Sequence, residues 1–427
     1  MVSSSRSAQI GLGTMLAVAC VSLCWGASGQ GQITPATPAA KVKVRAITAF
    51  INLDRDQYQQ QIADTLKMLK YARTVYESRG FEVQTIRIST QPFPEYTKGL
   101  TTDQAVAFFK GYAALAVQQK FAAAIGPAML HANDSETQAD LLAEILRNTK
   151  ELNGSLVVAD ADGVHWSAVR AAARVIEKLS QTTEHGEGNF NFSALAMVPP
   201  LTPFYPGSYH SGFGHQFAIA LESANLVAAA FQGAPDVPTA GKRLMTMLRS
   251  EAFEVERHAE RIDRDLGWSY VGIDLSPAPL KEVSIGQALE NLTGHPAGSS
   301  GTLTAAATVT AALQDIAVKR IGYGGLMLPV MEDSRLAQRW SEGRLTLDAL
   351  LSYSAVCGTG LDTIPLPGDV SEQQLTRIIG DVASLAVKWH KPLSARLMPA
   401  PGKKPGDATE FASPYVVNVT LQPLEPK

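Results

Sequence analysis

Cysteine is scarce in this chain. The 427 residues hold three, Cys20, Cys24 and Cys357. The first two fall in an apolar run near the N-terminus. Without that run a single thiol remains, which can form no intramolecular disulfide, so the fold must rest on its core. An excess of charge of one sign is also missing. Lys and Arg number 37 against 40 Asp and Glu, a net charge of -3, which argues against nucleic acid or an anionic membrane surface as the main partner. Beyond the first thirty residues no apolar run is long enough for a transmembrane helix. A neutral or mildly charged small molecule is the partner left open.

The N-terminal run reads as an export signal. Arg6 and a Ser-rich start precede an apolar stretch from Ile10 to about Cys24, followed by Gly26, Ala27, Ser28 and Gly29. This is too short to span a bilayer and places a cleavage site near Gly29, for a periplasmic or secreted product. A lipoprotein anchored at Cys20 is the rival, but Val18 and the apolar residues that follow make a poor lipobox. The domain plan is therefore a signal over 1–29, a Pro/Thr/Ala linker over 30–40, and one domain over 41–427 with a solvated Gly/Pro/Lys segment around 400–410.

From residue 41 the pattern alternates between the periods of strand and helix. "KVKVRAITAFI" is a strand, "QYQQQIADTLKMLKYARTVYESRG" an amphipathic helix ending at Gly80, and "FEVQTIRIST" a second strand. That β-α-β unit predicts a mainly parallel sheet. Helices are expected around 103–119, 136–150 and 166–180, each leading into an apolar strand, and from 216 an Ala-rich stretch reads as helix. "YVGIDLS", "GGLMLPV" and "SARLMPA" read as further strands. Repeated βα units of this extent predict an α/β barrel or a large wound sheet, with sites at the carboxyl ends of strands. Weakly charged, Ala-rich helices such as 216–231 are of the kind that form contacts in a homo-oligomer, and burial within one chain accounts for them equally well.

Polar groups placed where an apolar run stops and Gly or Pro begins are the candidates for chemistry. They are Asp160, Asp162 and His165 in "VVADADGVH", His210 and His215 in "SYHSGFGH", Asp274 and Ser276 in "GIDLSPAP", Glu332 and Asp333 in "LPVMEDSR", and Cys357 with Asp362. Each has a plain structural alternative. Asp after a strand is commonly a helix N-cap, which would account for Glu332 and Asp333. Asp274 and Ser276 suit a buried turn. The Asp-x-Asp-Gly of 160–163 mimics part of a calcium loop, but the position for its closing glutamate is Ala171, so no metal is expected there. His210 and His215 are too far apart in sequence for an i, i+4 zinc pair, which leaves a hydrogen-bonded loop histidine or a proton-transfer group. Cys357 is either a small buried hydrophobe or a pocket thiol lacking an evident base. No motif names a cofactor.

Five strings in order, "VRAITAFINLD", "YVGIDLSPAP", "SGTLTAAATVTAAL", "GGLMLPVMED" and "AVCGTGLDTIPLPGD", resemble the bacterial family catalogued as domain of unknown function 711. The resemblance implies a fold similar to the α/β barrel of pyruvate formate-lyase-like enzymes, and no particular activity. The positions that match the family's pattern are Asp274, Ser276, Pro279, Gly301, Thr302, Glu332, Asp333, Cys357, Gly360, Leu361, Asp362 and, less closely, His210. Ser300 stands where a His is expected, the loop around Asp160 to His165 is acidic, and the export signal is a further departure. "KRIGYGG" resembles a glycyl-radical motif, but Gly322 precedes Cys357, the reverse of the order in radical enzymes.

The sequence thus predicts an exported α/β-barrel enzyme acting on a small polar molecule by carboxylate acid-base chemistry, hydrolase and lyase not distinguished. Asp274, Glu332 and His210 would act as catalytic groups, with Asp362, Cys357, Ser276, Asp333, Thr302 and His165 lining the substrate. The alternative is a non-catalytic small-ligand-binding protein of the periplasm or medium.

Overall fold

A computed structural model describes residues 41–424; the expected signal and the linker lie outside the described residues. In chain order the elements are β1 (Lys43–Ile51), α1 (Tyr58–Glu77), β2 (Val83–Thr90), α2 (Phe93–Thr97), α3 (Thr102–Gln119), β3 (Ala122–Pro127), α4 (Thr137–Asn148), β4 (Leu152–Asp160), β5 (Gly163–Val164), α5 (Trp166–Thr182) and β6 (Phe192–Ala196). There follow β7 (Gln216–Glu222), α6 (Ala224–Phe231), α7 (Val237–Leu266), β8 (Ser269–Asp274), α8 (Ile285–Thr293), α9 (Thr302–Gln314), α10 (Ser334–Ser341), α11 (Leu347–Ser354), β9 (Gly360–Pro367), α12 (Glu372–Trp389) and β10 (Leu393–Ala400). Local signals set several boundaries. Thr101 with Gln104 and Ser371 with Gln374 form capping boxes that start α3 and α12, and Gly267 in the left-handed region ends α7.

The strands form one ten-stranded sheet in the order β8-β7-β1-β2-β3-β4-β6-β10-β9, with β5 paired to β4. Strands β1, β2, β3, β4 and β6 run parallel. β7 pairs antiparallel with β1, and β10 antiparallel with β6, while β8 follows β7 and β9 follows β10. A parallel block is therefore flanked on both sides by strands running the other way. The sheet does not close by pairing of its end strands β8 and β9. Instead the irregular segment 319–332 forms an isolated bridge to each, Arg320 to Ile273 and Pro329 to Asp362.

Alternation along β1 separates two cores. Ile47, Ala49 and Ile51 join the large cluster shared with the helices, whereas Ala46 joins a smaller one with Val157, Leu195 and Ala220. The smaller cluster contains no helical residue. It is covered by two loops, 197–215 through Val198, Phe204 and Tyr209, and 319–332 through Tyr323 and Met327. Helices thus cover one face of the sheet and loops the other. Backbone and hydroxyl bonds fasten the first loop: Thr48 Oγ1 donates to the Pro203 carbonyl at 3.0 Å, Tyr205 Oη to the Ile88 carbonyl at 2.8 Å, and the His210 N–H to the Thr90 carbonyl at 2.9 Å.

Two sequence expectations fail here. The stretch from 216 is the buried strand β7 before it becomes α6; its Ala-rich composition favours helix locally, but pairing with β1 and β8 overrides that preference. Residues 360–367 form β9 although they include Gly360, Pro365 and Pro367. Prolines are tolerated there because β9 ends the sheet path and has only β10 as a strand partner. "GGLMLPV" is not a strand; it belongs to the 319–332 segment, which ends in a short 3₁₀ turn, Val330–Glu332. Residues 401–407 are largely exposed as expected, but the chain beyond them returns to the body, where Phe411, Val416, Val419 and Leu421 are buried and the Val417 N–H donates to the Met331 carbonyl at 2.7 Å. Among the described residues no helix is long and apolar enough to cross a membrane.

Asp333 holds two helices at once. Its Oδ1 accepts from Ser284 Oγ at 2.5 Å and from the N–H groups of Arg335 and Leu336 at 3.0 Å, capping α10, while Oδ2 accepts from the Ile285 and Gly286 N–H groups at 2.7 and 3.1 Å, at the start of α8. Asp333→Ala removes both caps from a fully buried position and should lower the unfolding free energy by about 2–4 kcal/mol, read by urea denaturation. A loss below about 0.5 kcal/mol, the range of ordinary surface substitutions, would contradict this double role.

Candidate functional site

The loop-covered face encloses a cavity of about 240 Å³. Its sheet walls come from the beginnings and middles of strands rather than from their carboxyl ends. Arg45 and Arg87 rise from β1 and β2, Ala122, Asn153 and Ser193 from the first two positions of β3, β4 and β6, and Asp362 and Arg396 from β9 and β10. Glu332 enters from the 3₁₀ turn, Tyr205 and Tyr323 from the covering loops. Phe190 and the half-exposed Tyr415 stack in parallel, 6.3 Å apart, at the outer side.

Arg396 is the hub. Its Nε donates to Asp362 Oδ1 at 2.6 Å, Nη2 donates to Glu332 Oε1, and Nη1 reaches the Phe190 carbonyl at 3.4 Å, with the guanidinium 4.8 Å from the Phe190 ring centre. Burial is the largest influence on Glu332 and lifts its carboxyl above the ordinary value of 4.5; Arg396 opposes the lift and the neighbouring Asp362 adds to it. Neither Glu332 Oε2 nor Asp362 Oδ2 has a hydrogen-bond partner among the described residues, so each carboxylate keeps one oxygen for a ligand. Arg45 pairs with the buried Glu222 at 3.5 Å. The direct contacts of Arg87 are all neutral, Thr85 Oγ1 at 3.0 Å, the Pro203 carbonyl at 3.4 Å and the face of Tyr205 at 4.7 Å, while the charges of Glu332, Arg45 and Arg396 reach it from farther off.

Of the residues expected from sequence, Glu332 and Asp362 meet in this cavity and the others do not line it. Asp274 is fully buried and accepts from Ser276 N and Oγ at 3.0 and 2.6 Å and from the Tyr323 and Gly324 N–H groups at 2.8 and 3.3 Å. Its carboxyl is raised by burial against the pull of these donors. The arrangement clamps the 319–325 turn, where a Cβ on Gly322, which has a φ of 82°, would collide with Asp274 Oδ2. Asp274 and Ser276 therefore position Tyr323 at the wall. Asp333 spends both oxygens on helix caps. Thr302 lies in the first turn of α9, where its hydroxyl accepts from the Gly298 N–H at 3.2 Å.

The histidines are also tied elsewhere. His210 is held between Asn52 Oδ1 at 2.9 Å and Gln216 Oε1 at 2.6 Å, and burial lowers its pKa. It joins the end of the 197–215 loop to the carboxyl end of β1. His165 pairs with Asp160 at 3.1 Å beside the β4–β5 turn, in which Asp160 also accepts from the Asp162 N–H. Cys357 is buried in the large core, 2% exposed, and its thiol is pushed up to about 12 by that burial. Among the described residues no three His, Cys, Asp or Glu side chains gather as a metal ion would require.

The sequence search missed Arg45, Arg87 and Arg396. Each is a guanidinium within a largely buried strand, in "KVKVRAITAF", "TIRIST" and "SARLMPA". That placement is itself a signal, because a charge in a sheet interior needs a partner or a ligand.

Fold and site together define an α/β protein with a buried, arginine-rich polar cavity on the loop-covered face of a mixed sheet. The chain belongs to the family described as "Uncharacterised ACR (DUF711)", whose pattern it matches over residues 37–413. It is similar to a "UPF0210 protein" of Pyrobaculum islandicum, 32% identical over 406 residues covering 88% of this chain and 89% of the relative, and to one of Pyrobaculum arsenaticum at 30% with the same coverage. A "UPF0210 protein" of Acetivibrio thermocellus is 29% identical over 413 residues, 86% of this chain and 88% of the relative. Many relatives are archaeal, so the family is broader than the bacterial one that the resemblance suggested.

The burial of Cys357 predicts its reactivity. A thiol reagent such as 5,5'-dithiobis(2-nitrobenzoic acid) should label this residue at a negligible rate in the folded protein at pH 8 and stoichiometrically in denaturant. Rapid labelling of the native protein would place the thiol in an accessible pocket instead.

Proposed function

We propose that the chain is an exported enzyme acting on a small polar molecule by carboxylate acid-base chemistry, with the Arg396-centred cavity as its active site. Hydrolysis and lyase-type elimination fit alike. The observation that carries the reading is the pairing of Glu332 and Asp362 about one guanidinium, each with one oxygen free, inside a small cavity. Glu332, with its raised pKa, serves as proton donor to the leaving group, and Asp362 as the acceptor that draws a proton from water or substrate. Arg396 orients both carboxylates. Asp274 and His210, expected in these roles from sequence, act here as positioning residues.

Export rests on the pattern of residues 1–29. A pyruvate formate-lyase-like barrel is supported by the ten-stranded, direction-reversing sheet and by the 319–332 segment bridged to both of its end strands. One observation favours the rival reading of a non-catalytic binding protein: Arg396 holds an oxygen of each carboxylate, as suits a fixed cradle.

The test begins with a thermal-shift screen of the full chain against sugars, small acids and amides, followed by mass spectrometry of any stabilising mixture. Conversion is expected. Glu332→Gln keeps an acceptor for Arg396 but removes the proton, and should cut turnover by about 10²–10⁴-fold while the fold remains. Because the native pKa of Glu332 lies above 4.5, the proton-bearing form is lost as pH rises through that raised value. Turnover should therefore decline on an alkaline limb with a midpoint above 4.5 that Glu332→Gln abolishes. A ligand that binds without conversion would move the protein to the binding class.

A further inference from the structure

Arg87 lies in β2 between Ile86 and Ile88 and is only 8% exposed. A guanidinium carries a permanent charge and five N–H donors, so burying one calls for a counter-charge. The other two arginines of the cavity have theirs: Arg396 contacts two carboxylates and Arg45 faces Glu222. Arg87 touches none. Its Nε and Nη1 donate to a hydroxyl and a carbonyl, its face rests on Tyr205, and its Nη2 has no acceptor among the described residues. Burial pulls its pKa only to about 10, so the charge persists at neutral pH.

We propose that Arg87 is the anchor of an oxyanion subsite in this cavity, taking a carboxylate or phosphate group of the ligand through the free edge of its guanidinium. The inference rests on the cavity being the substrate site and adds the substrate class: a compact molecule with an acidic group at one end and its reacting bond facing Glu332 and Asp362. A planar carboxylate or tetrahedral phosphate accepts two parallel N–H bonds from such a fork, which an ammonium cannot imitate. The volume of about 240 Å³ falls below the roughly 300–1,000 Å³ of drug-sized sites and restricts the ligand to a few-carbon acid or its phosphate counterpart. Asn153, Ser193 and Ser394 offer neutral polar groups for the remainder.

The experiment uses the full chain in low-salt buffer, with acetate, succinate and inorganic phosphate as probes and acetamide and glycerol as neutral controls. Thermal shift and calorimetry are read for the wild type, Arg87→Gln, Arg87→Lys and Arg87→Met. The expected result is saturable stabilisation of the wild type by one oxyanion class and by neither control, with affinity at least tenfold weaker in Arg87→Gln and intermediate in Arg87→Lys. The carboxylate and phosphate arms identify the class. Arg87→Met should raise the melting temperature of the ligand-free protein, because an unmatched buried cation is removed; a merely structural arginine would lower it. The proposal is overturned if no oxyanion binds better than the controls, or if Arg87→Gln binds as the wild type does. Should either occur while Glu332→Gln still abolishes conversion of a neutral substrate, the anion subsite falls and the acid-base reading stands. Oxyanion binding lost in Arg87→Gln, with no conversion of any acid, upholds the anion subsite and removes the acid-base reading.

Discussion

The Arg396 guanidinium, buried at the meeting of β9, β10 and the 330–332 turn, fixes where these three elements can lie. Its donors need acceptors, and Asp362, Glu332 and the Phe190 carbonyl supply them from three separate parts of the chain. Such a group adds little net stability, since well-packed apolar residues of the same volume commonly do as well or better. Removing one partner is a different matter, costing roughly 3–5 kcal/mol where a charge is left buried alone. The trio therefore specifies an arrangement more than it strengthens one. Everything in the cavity is placed relative to it.

The direction reversal in the sheet explains why a polar cavity forms where it does. The parallel block β1, β2, β3, β4 and β6 presents the beginnings and middles of its strands to a space that no helix covers, and the flanking antiparallel strands bring Asp362 and Arg396 to the same level. Two loops fill the rest. Asp274 organises one of them from behind: by accepting the Tyr323 and Gly324 N–H groups it holds a turn that requires glycine at 322 and points Tyr323 at the wall. His210 anchors the other from the far end, through Asn52 and Gln216. These buried polar residues resemble catalytic groups in sequence because they sit at strand ends among glycines, and they sit there because irregular loops need buried acceptors and donors to hold their shape.

Much of the fold is legible in local pattern. The first β-α-β unit and the helices around 103–119, 136–150 and 166–180 follow from periodicity and match α1, α3, α4 and α5. The misread segments are those where non-local pairing decides. Residues 216–222 are Ala-rich enough for a helix and become a strand because β1 and β8 lie on either side. Prolines 365 and 367 argue against a strand until β9 is known to end the sheet path. Nothing in the local sequence reveals that β7 and β10 oppose the central block. The site was half legible. Glu332 and Asp362 stood out as acids after apolar runs, but a search directed at strand carboxyl ends, and at acids, histidines and thiols, passes over arginines embedded within strands.

Charge in the cavity is divided unevenly, and that division links structure to chemistry. Arg396 touches two carboxylates, while Arg87 touches none and feels Glu332 only from beyond contact. In a low-dielectric space such an arrangement is a prepared field: its dipoles and charges are set before a ligand arrives and need no rearrangement when it does. A raised pKa on Glu332 sharpens the asymmetry, because a protonated Glu332 leaves Arg396 matched by Asp362 alone and Arg87 as the unmatched charge of the pair. A proton donor and an anion anchor are then consequences of the same burial. Folding alone would favour replacing Arg87 with an apolar residue and keeping Arg396 fully partnered. The retention of an unmatched guanidinium a few residues into a core strand is the mark of a site held ready for a partner that the chain itself does not contain.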